Sequence, residues 1–559
     1  MPTPYQTPIG SFTRKSTFFW AAVGATVGLA NLWQFPYLAS LHGGGLFVLI
    51  YLACVLVVTL PLMVTEASFG RYARHGIVLA MDGFVRSAQV SRLWMLAGRL
   101  SILAAFLVLS FTAVFGAIAL AYMFYGAMGY FADADASGAT GILTDLVSDP
   151  RNYRVFMGWH AAFLILVAWV SIQGVVKGVE RTLRVVVPGT LLLMIALFSL
   201  AAWQGKMDGS VSQILEMHPD DVSIESVKAA LFHAFFTLGL GMGVWSIFGA
   251  YTAPNTRLKR SILAAVLMDT LVAMMAGMMI FSVAAGDVSL DGERGFSLLF
   301  VSLPVALAQL PGSQFVIAAV FLLVVLIVWT TSICLLEPVV GWFREWTGSP
   351  RGWSALLIGL GAWFVGLASL LSFNVWSQER LAGATIFRWL ELITGGLLIP
   401  VVAVLICVFT GWCLTRSFSH RILGKTPALF AAIWYWVMRL VLPVVVAYIG
   451  ILYTSFSLNS LCIDGNSAMW CQKPEPVVAQ PGTDEAEGAA DTGTVSPGPD
   501  APVMPSHSEA GESEAGGSAV IDAVPAETPS AEEIEETGEV DEGVEGRENA
   551  PKEDDILYH

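Results

Sequence analysis

Eleven apolar runs, each of about 20 residues or more, recur along the first 456 residues of the chain. Such a run is long enough to cross about 30 Å of hydrocarbon as a helix. Hydrophobic residues make up 55% of the chain, more than a soluble domain can bury. No alternating pattern competes with helices. The sequence therefore predicts an all-α membrane protein with about 11 transmembrane helices. We number the predicted spans 1 to 11 in chain order: 16–41, 45–70, 93–129, 154–174, 184–204, 227–252, 260–285, 314–343, 353–373, 386–413 and 429–456.

The net charge of −15 belongs to the C-terminal tail. From Gln472 onward there are 23 acidic and 3 basic residues, a balance of −20, so residues 1–471 carry +5. The tail is rich in Pro, Gly, Ser and acidic residues, a composition that cannot bury enough apolar surface to fold. We predict a cytoplasmic N-terminal segment (1–15), a transmembrane domain (16–456) and an acidic, disordered tail (457–559) that is either simply solvated or an interaction tail. Nothing here indicates nucleic-acid binding.

The distribution of Lys and Arg predicts the orientation in the lipid bilayer. The N-terminus and the loops that follow even-numbered spans hold 18 of the 29 Lys and Arg residues, whereas the opposite loops hold five: Arg151, Arg154, Lys206, Arg294 and Arg380. Because cytoplasmic loops carry the excess, we predict a multi-pass protein of the cell (inner) membrane with a cytoplasmic N-terminus. An odd number of spans then places the tail outside. There Cys462 and Cys471 would be able to form a disulfide in an oxidising environment.

Span 1 contains residues that interrupt a helix near its middle: Gly24, Gly28, Asn31 and Pro36. Gly is conformationally free, and Pro lacks a backbone donor. In hydrocarbon, a freed backbone group must find a partner or line a cavity. Carbonyls released beside an Asn side chain would be oxygen ligands for a small cation. The alternative is close helix packing through small residues.

Span 6 repeats this feature with three glycines, Gly239, Gly241 and Gly243. Spans 1 and 6 are the first members of two sets of five. That position is expected of inverted five-helix repeats with a substrate site between broken helices 1 and 6. The residues show no internal repeat, so the symmetry is inferred from position alone. The two spans together favour a transporter.

Five segments, in the same order, resemble the neurotransmitter:sodium symporter family. They are GATVGLANLWQFPYL followed by GGG, PLMVTEASFGRY, FFTLGLGMG, TTSICLLEP and WYWVMRLVLP. The resemblance covers about residues 10–456 and points to the bacterial amino-acid transporter branch, which includes the bacterial leucine transporter. It implies a sodium-coupled symporter that moves a small amino acid or related solute into the cell by alternating access.

The resemblance also implies two Na⁺ sites. The ligands of the first would be the Thr26 carbonyl, Asn31, Thr237 and Asp269. Those of the second would be the carbonyls of Gly24, Val27 and Ile327 and the hydroxyls of Thr330 and Thr331. Thr hydroxyls often only bond their own helix backbone. Asp269 carries a signal of its own, because it lies about nine residues, roughly 14 Å, into span 7. A carboxylate at that depth marks a functional site, with structural pairing as the alternative.

Substrate contacts follow from the same resemblance. Gly28 stands where monoamine carriers have an aspartate, so the substrate would bring its own carboxylate to the first Na⁺. Phe236 would form part of a lid. Thr112 stands where the family has a tyrosine that contacts the substrate carboxylate. The orientation and the identity of the substrate are therefore not determined by the resemblance. The predicted substrate-binding residues are Ala25, Thr26, Gly28, Thr112, Phe236, Gly239 and Met242.

The gates depart from the family pattern. Gln34 replaces the arginine of the outer gate and leaves Glu391 with a neutral partner, which forfeits a bidentate ion pair. At the inner gate Phe12 replaces a tryptophan and Ile9 an arginine, while Glu345 remains as the acid. Chloride dependence is not favoured, because Tyr51 matches a chloride-site position but Ala273 replaces serine or glutamate. Asp269 could supply the compensating negative charge.

Other charged or polar residues of the spans have milder interpretations. Glu66 matches a glutamate that supports the broken part of span 6. His233 is a hydrogen-bonding core residue or, alternatively, a site of proton coupling. Glu337, Arg388 and Arg439 are structural or interfacial.

Two rival functions remain at this point. One is a transporter-derived sensor or scaffold that binds a ligand without net transport, suggested by the altered gates and the long tail. The other, an integral membrane enzyme, is disfavoured because no Ser–His–Asp set, metal-spaced histidine cluster or phosphate loop stands out. We therefore predict no enzymatic activity.

Overall fold

A computed structural model describes residues 9–132, 134–204, 207–253, 255–284 and 296–463. Across those residues the chain forms helices and no β-strand. The tail beyond residue 463 and the segment before residue 9 lie outside the described residues, and so do Cys471 and the side chain of Cys462. The predictions of a disordered tail and of a disulfide therefore stay predictions.

Within the described part of the chain, nine of the predicted spans are helices long and apolar enough to cross a membrane. They are Gly45–Ala73 (span 2), Arg92–Met128 (span 3), Tyr153–Ile172 (span 4), Val175–Gln204 (span 5), Leu258–Val283 (span 7), Ser313–Thr347 (span 8), Arg351–Leu371 (span 9), Ile386–Cys413 (span 10) and Ala428–Leu458 (span 11). Spans 1 and 6 are the broken helices, so the predicted all-α membrane fold is confirmed. Shorter helices connect them: Ile77–Ala88, Ala136–Val147, Met207–Leu215, Leu303–Ala308 and Arg416–Leu423.

Span 1 is interrupted where its sequence predicts. An α-helix, Thr17–Thr26, ends at Val27, a 3-10 turn covers Leu29–Asn31, and a second helix runs over Gln34–Leu41. Gly28 lies between them in an extended conformation (φ −121°, ψ −176°). Pro36 is not at the break. It lies in the first turn of the second helix, where its missing N–H would have had no helical partner.

Span 6 is interrupted by its glycines. The helices Ile224–Phe236 and Val244–Tyr251 flank a segment in which Gly239, Gly241 and Gly243 all have positive φ (66°, 70° and 67°). L-residues with side chains rarely adopt that conformation, which glycine reaches at little cost. The glycine spacing therefore produces the unwound segment directly.

The second half of span 6 packs backbone to backbone against span 2. A Cβ added to Gly70 would lie 1.7 Å from the Ser246 carbonyl oxygen, and one added to Gly249 would lie 2.0 Å from that of Ala67. No real Cβ atom approaches backbone so closely. These two glycines thus set how closely the second half of span 6 lies against span 2.

The substitution Gly70→Ala is expected to lower the free energy of unfolding by about 1–3 kcal/mol, because the two helices must move apart. The apparent Tm of the purified protein in detergent would measure the loss. Gly83→Ala is the matched control, since a Cβ at Gly83 meets nothing within 4 Å. Equal melting temperatures for the two variants would contradict the packing argument.

Candidate functional site

Asn31 and Asp269, predicted as ligands of the same Na⁺, are in direct contact at the break in span 1. The Asn31 Nδ2 group donates to Asp269 Oδ1 (2.9 Å) and to the Asp269 carbonyl (3.2 Å). Asn31 Oδ1 in turn accepts from the Gly28 N–H (3.0 Å). The Asn31 side chain therefore fixes both the unwound backbone of span 1 and the carboxylate of span 7.

The Asp269 carboxylate is fully buried. Its second oxygen accepts from the Tyr51 hydroxyl of span 2 (3.2 Å). Of the ion pairs formed by the described residues, none involves Asp269. A buried carboxylate without a cationic partner is strongly unfavourable. A cation bound beside Asp269 would therefore stabilise the charged carboxylate.

Thr237, the third side chain of the predicted first Na⁺ site, ends the first half of span 6. Its hydroxyl is buried and has no hydrogen-bond partner among the described residues. Thr26 ends the first half of span 1, and a Cβ built on Gly28 would lie 3.8 Å from its carbonyl oxygen. Carbonyl, carboxamide, carboxylate and hydroxyl oxygens at broken helices are a donor set that suits Na⁺.

The residues of the predicted second site meet between spans 1 and 8. The Thr331 hydroxyl donates to the Val27 carbonyl (3.2 Å) and the Ile327 carbonyl (3.1 Å), and the Thr330 hydroxyl also donates to Ile327 (3.0 Å). A Cβ at Gly24 would lie 3.6 Å from the Thr330 Cβ. The bonds to Ile327 are ordinary helix back-bonding, whereas the bond to Val27 joins two spans.

The predicted pocket residues of spans 1 and 6 are also close together. A Cβ at Gly239 would lie 3.7 Å from the Ala25 carbonyl oxygen and 3.9 Å from the Met242 methyl carbon. A larger residue at 239 would therefore fill the space between the two unwound segments. Thr112, on span 3, is half-buried. No hydrogen bond among the described residues joins it to this group.

Phe236, the predicted lid, packs against an aromatic residue of span 11. Its ring centroid is 5.0 Å from that of Tyr453 and 5.1 Å from that of Phe235. The Tyr453 ring fits because span 10 has glycine opposite it, and a Cβ at Gly395 would lie 3.0 Å from that ring. Tyr453 was missed, because nothing in its local sequence distinguishes it from other residues of span 11.

At the outer gate, Glu391 has a cationic neighbour on its own helix. The Arg388 guanidinium lies 3.4 Å from the Glu391 carboxylate, and both side chains are largely buried. Glu391 therefore has a cation one turn away on its own helix in addition to the neutral Gln34 expected from span 1. Gln34 itself begins the second helix of span 1.

At the inner gate, Glu345 is held by the loop after span 2. It accepts hydrogen bonds from the Gly76 N–H (3.0 Å) and pairs with His75 Nδ1 (3.0 Å). Its side chain is only 4% exposed. Ile9 and Phe12 are buried apolar residues. The partner of Glu345 is therefore a histidine of the loop after span 2 rather than an arginine of the N-terminal segment.

Glu180, at the start of span 5, holds the N-terminal segment in place. Its carboxylate accepts from the Thr13 N–H (2.7 Å), the Thr13 hydroxyl (2.9 Å), the Arg14 N–H (3.1 Å) and the Thr17 hydroxyl (2.7 Å). This contact was not predicted. The sequence shows only two threonines around the start of span 1, Thr13 and Thr17, and their partner lies more than 160 residues away.

A buried ion pair joins four spans near the same end of the domain. Both oxygens of the fully buried Glu337 lie close to the Arg351 guanidinium, at 2.5 Å and 2.7 Å. They also accept from the hydroxyls of Ser171 (2.7 Å) and Tyr251 (2.9 Å). Spans 4, 6, 8 and 9 are thereby linked.

Glu66 and His233 were both expected to form hydrogen bonds inside the domain, and only Glu66 does so among the described residues. Glu66 accepts from the Gly241 N–H (2.9 Å), which supports the unwound part of span 6 as the resemblance implied. The His233 ring lies 5.4 Å from the rings of Phe35 and Tyr51. Neither His233 nitrogen has a hydrogen-bond partner among the described residues, so its predicted hydrogen-bonding role is not seen.

Two helices broken in mid-span, one of them in contact with a buried carboxylate, are the arrangement expected of an ion-coupled membrane transporter. The comparison with known families gives the same result. The profile of the sodium:neurotransmitter symporter family matches residues 10–132 and 154–464. The chain belongs to this family.

Relatives and solved structures agree with that assignment. The chain is 31% identical over 448 residues to YhdH, an uncharacterized sodium-dependent transporter of Bacillus subtilis, covering 79% of this chain and 96% of the relative. It is 24% identical over 457 residues to an uncharacterized sodium-dependent transporter of Haemophilus influenzae, covering 79% and 97%. The crystal structure of MhsT in complex with L-phenylalanine superimposes with a TM-score of 0.70 at 28% identity, covering 79% of this chain and 99% of MhsT.

Proposed function

We propose that this protein is a sodium-coupled symporter that moves a small amino acid or a related solute into the cell by alternating access. The observation that carries the proposal is the buried Asp269 carboxylate, which contacts Asn31 beside the break in span 1 and has no cationic partner among the described residues. A bound Na⁺ would supply the missing positive charge.

The chemistry around Gly28 favours a substrate with a carboxylate. A side chain at this position would meet only the Thr26 carbonyl oxygen, at 3.8 Å. The space is therefore open for a substrate group, and the protein places no acid there to bind an amine. A substrate carboxylate beside Thr26 and Asn31 would complete the first Na⁺ site. The L-phenylalanine with which MhsT was crystallised supports an amino acid as the substrate here.

Shared ligands would couple the two solutes. If the substrate carboxylate binds the first Na⁺, each partner binds more tightly when the other is present. The second Na⁺ site would hold span 1 against span 8 through Val27 and Thr331, whose contact is 3.2 Å. Release of that ion would free the first half of span 1 to move.

Uptake into proteoliposomes tests the proposal against a sensor or scaffold that only binds. The purified protein would be reconstituted with an inward Na⁺ gradient and given radiolabelled amino acids one at a time. Uptake above the level in protein-free liposomes, lost when Na⁺ is equal on both sides, is the expected result. Sodium-dependent binding of an amino acid without any uptake would favour the sensor.

Chloride is expected to have no effect on uptake. The Tyr51 hydroxyl, which matches a chloride-site position, already donates to Asp269, and the neighbouring Ala273 offers no polar group. A chloride ion there would also face the Asp269 carboxylate. Replacing chloride with gluconate at constant Na⁺ should leave the initial rate unchanged. Chloride-stimulated uptake would contradict this, and replacing Na⁺ with choline serves as the positive control for ion dependence.

We also propose that the N-terminus lies in the cytoplasm and the acidic tail outside, as the distribution of Lys and Arg indicates. Protease added to intact cells would then remove the tail. An intact tail under conditions that digest an external marker protein would contradict this orientation.

A further inference from the structure

A cleft lies outside the transport site, between the loop helix Ile77–Ala88 and the beginning of span 3. Its volume is about 530 Å³. Near the cleft the loop helix packs closely on span 3 at a glycine: a Cβ at Gly98 would lie 3.0 Å from the Val78 Cα.

The cleft is positively charged. Arg86, Arg92 and Arg99 line it together with one acid, Asp82, so the lining carries three positive charges and one negative charge, a balance of +2. Arg86 donates to Asp82 across one helical turn. Arg92 and Arg99 are exposed, and neither forms an ion pair with any described residue. Two guanidinium groups are therefore available to an anion.

Exposed leucines share the face of span 3 that carries Arg92 and Arg99. Leu96 and Leu103 are 44% exposed, and together with Arg92 and Arg99 they follow the spacing i, i+4, i+7 and i+11. That spacing places all four on one face of span 3. On this face Leu96 lies between the two arginines inside the cleft, and Leu103 lies one turn beyond Arg99, outside the cleft lining.

The length of span 3 places this face at a membrane surface. Its 37 residues would extend about 55 Å as a helix, against about 30 Å of hydrocarbon. The helix is therefore longer than the hydrocarbon is thick, and its charged beginning is the part expected in the headgroup layer, because arginine is costly in hydrocarbon. Arg92 and Arg99 are seven residues apart, roughly 10 Å along the axis, so both belong to that layer.

We propose that the cleft binds the phosphate of an anionic phospholipid in the cytoplasmic leaflet, with an acyl chain along Leu96 and Leu103. Arginine forms bidentate hydrogen bonds with phosphate. The cytoplasmic leaflet is the one rich in anionic lipid, which attracts basic residues next to the membrane. A lipid fits the cleft better than a soluble phosphate does, because the apolar stripe continues into the hydrocarbon. The proposal depends on the orientation given above but not on transport.

Native mass spectrometry of the full chain in detergent tests the proposal. The protein would be titrated with phosphatidylglycerol and, separately, with phosphatidylcholine that has the same acyl chains. Wild type is expected to prefer phosphatidylglycerol about twenty-fivefold, since each of the two basic residues near an anionic surface contributes about a factor of five. The double variant Arg92→Gln/Arg99→Gln should lose that preference, and Arg92→Lys/Arg99→Lys should keep part of it.

The control is Arg421→Gln/Lys425→Gln, which removes the same charge from exposed residues on the same side of the membrane. It should retain the wild-type preference, and an equal loss would overturn the assignment to this cleft. Equal binding of both lipids by wild type would also overturn it. Displacement of the lipid by millimolar inorganic phosphate would show a soluble-anion site instead. Gel filtration of each variant excludes misfolding as the cause, and because uptake is not measured, the result is separate from the proposed transport.

Discussion

The substitution Asp269→Ala is expected to reduce sodium-driven uptake about a hundredfold or more, while the protein still inserts and remains folded. Removing one partner of a buried charge pair costs about 3–5 kcal/mol, and here that partner would be the bound Na⁺. Asn31 would also lose an acceptor at 2.9 Å, so the unwound backbone around Gly28 would lose part of its support. The initial rate of Na⁺-dependent uptake in proteoliposomes measures the effect.

Two further variants separate charge from geometry. Asp269→Asn retains an oxygen ligand and the size of the side chain, so it should retain part of the uptake but show weaker Na⁺ dependence. Asp208→Ala removes an exposed aspartate from the short helix after span 5 and should transport normally. If Asp269→Ala kept the wild-type rate at low Na⁺, Asp269 would not be an ion ligand and the structural interpretation would hold.

Much of the fold could be predicted from the sequence, because the bilayer imposes simple rules on each span separately. Apolar length sets where helices lie. The glycines of span 6 predict its break, since Gly239, Gly241 and Gly243 each adopt a positive φ. Pro36, in contrast, does not mark the position of the break in span 1. A proline is tolerated in the first turn of a helix, so its presence did not mark the break itself.

The site could be predicted only in part. Asp269 stands out because a carboxylate deep in an apolar span is rare, and resemblance supplied Asn31 and the second Na⁺ site. The contacts of Glu180, Tyr453 and His75 could not be predicted in this way. Each joins residues far apart in the chain, on elements whose relative position depends on the packing of all the spans. Such pairs leave no periodicity or motif in a single sequence.

The buried pair of Glu337 and Arg351 is the strongest case of a contact that the sequence could not supply. Glu337 is fully buried, and the Arg351 side chain is only 11% exposed. Substituting Arg351 with methionine keeps much of the side-chain volume but leaves the carboxylate without its cation. We expect this variant to be less stable by about 3–5 kcal/mol, the usual cost of an uncompensated buried charge. The apparent Tm in detergent would fall accordingly.

A second substitution distinguishes lost charge compensation from lost packing. Replacing a whole buried ion pair with apolar residues of similar volume is often nearly neutral, so Glu337→Met/Arg351→Met should recover much of the stability that Arg351→Met loses. Arg257→Met, at an exposed arginine before span 7, is the matched control and should melt like wild type. A double variant as unstable as the single one would mean that Arg351 stabilises the domain through its hydrogen bonds to Ser171 (2.9 Å and 3.1 Å) and not by neutralising Glu337. Recovery would instead mean that Arg351 holds spans 4, 6, 8 and 9 together chiefly by compensating one buried carboxylate.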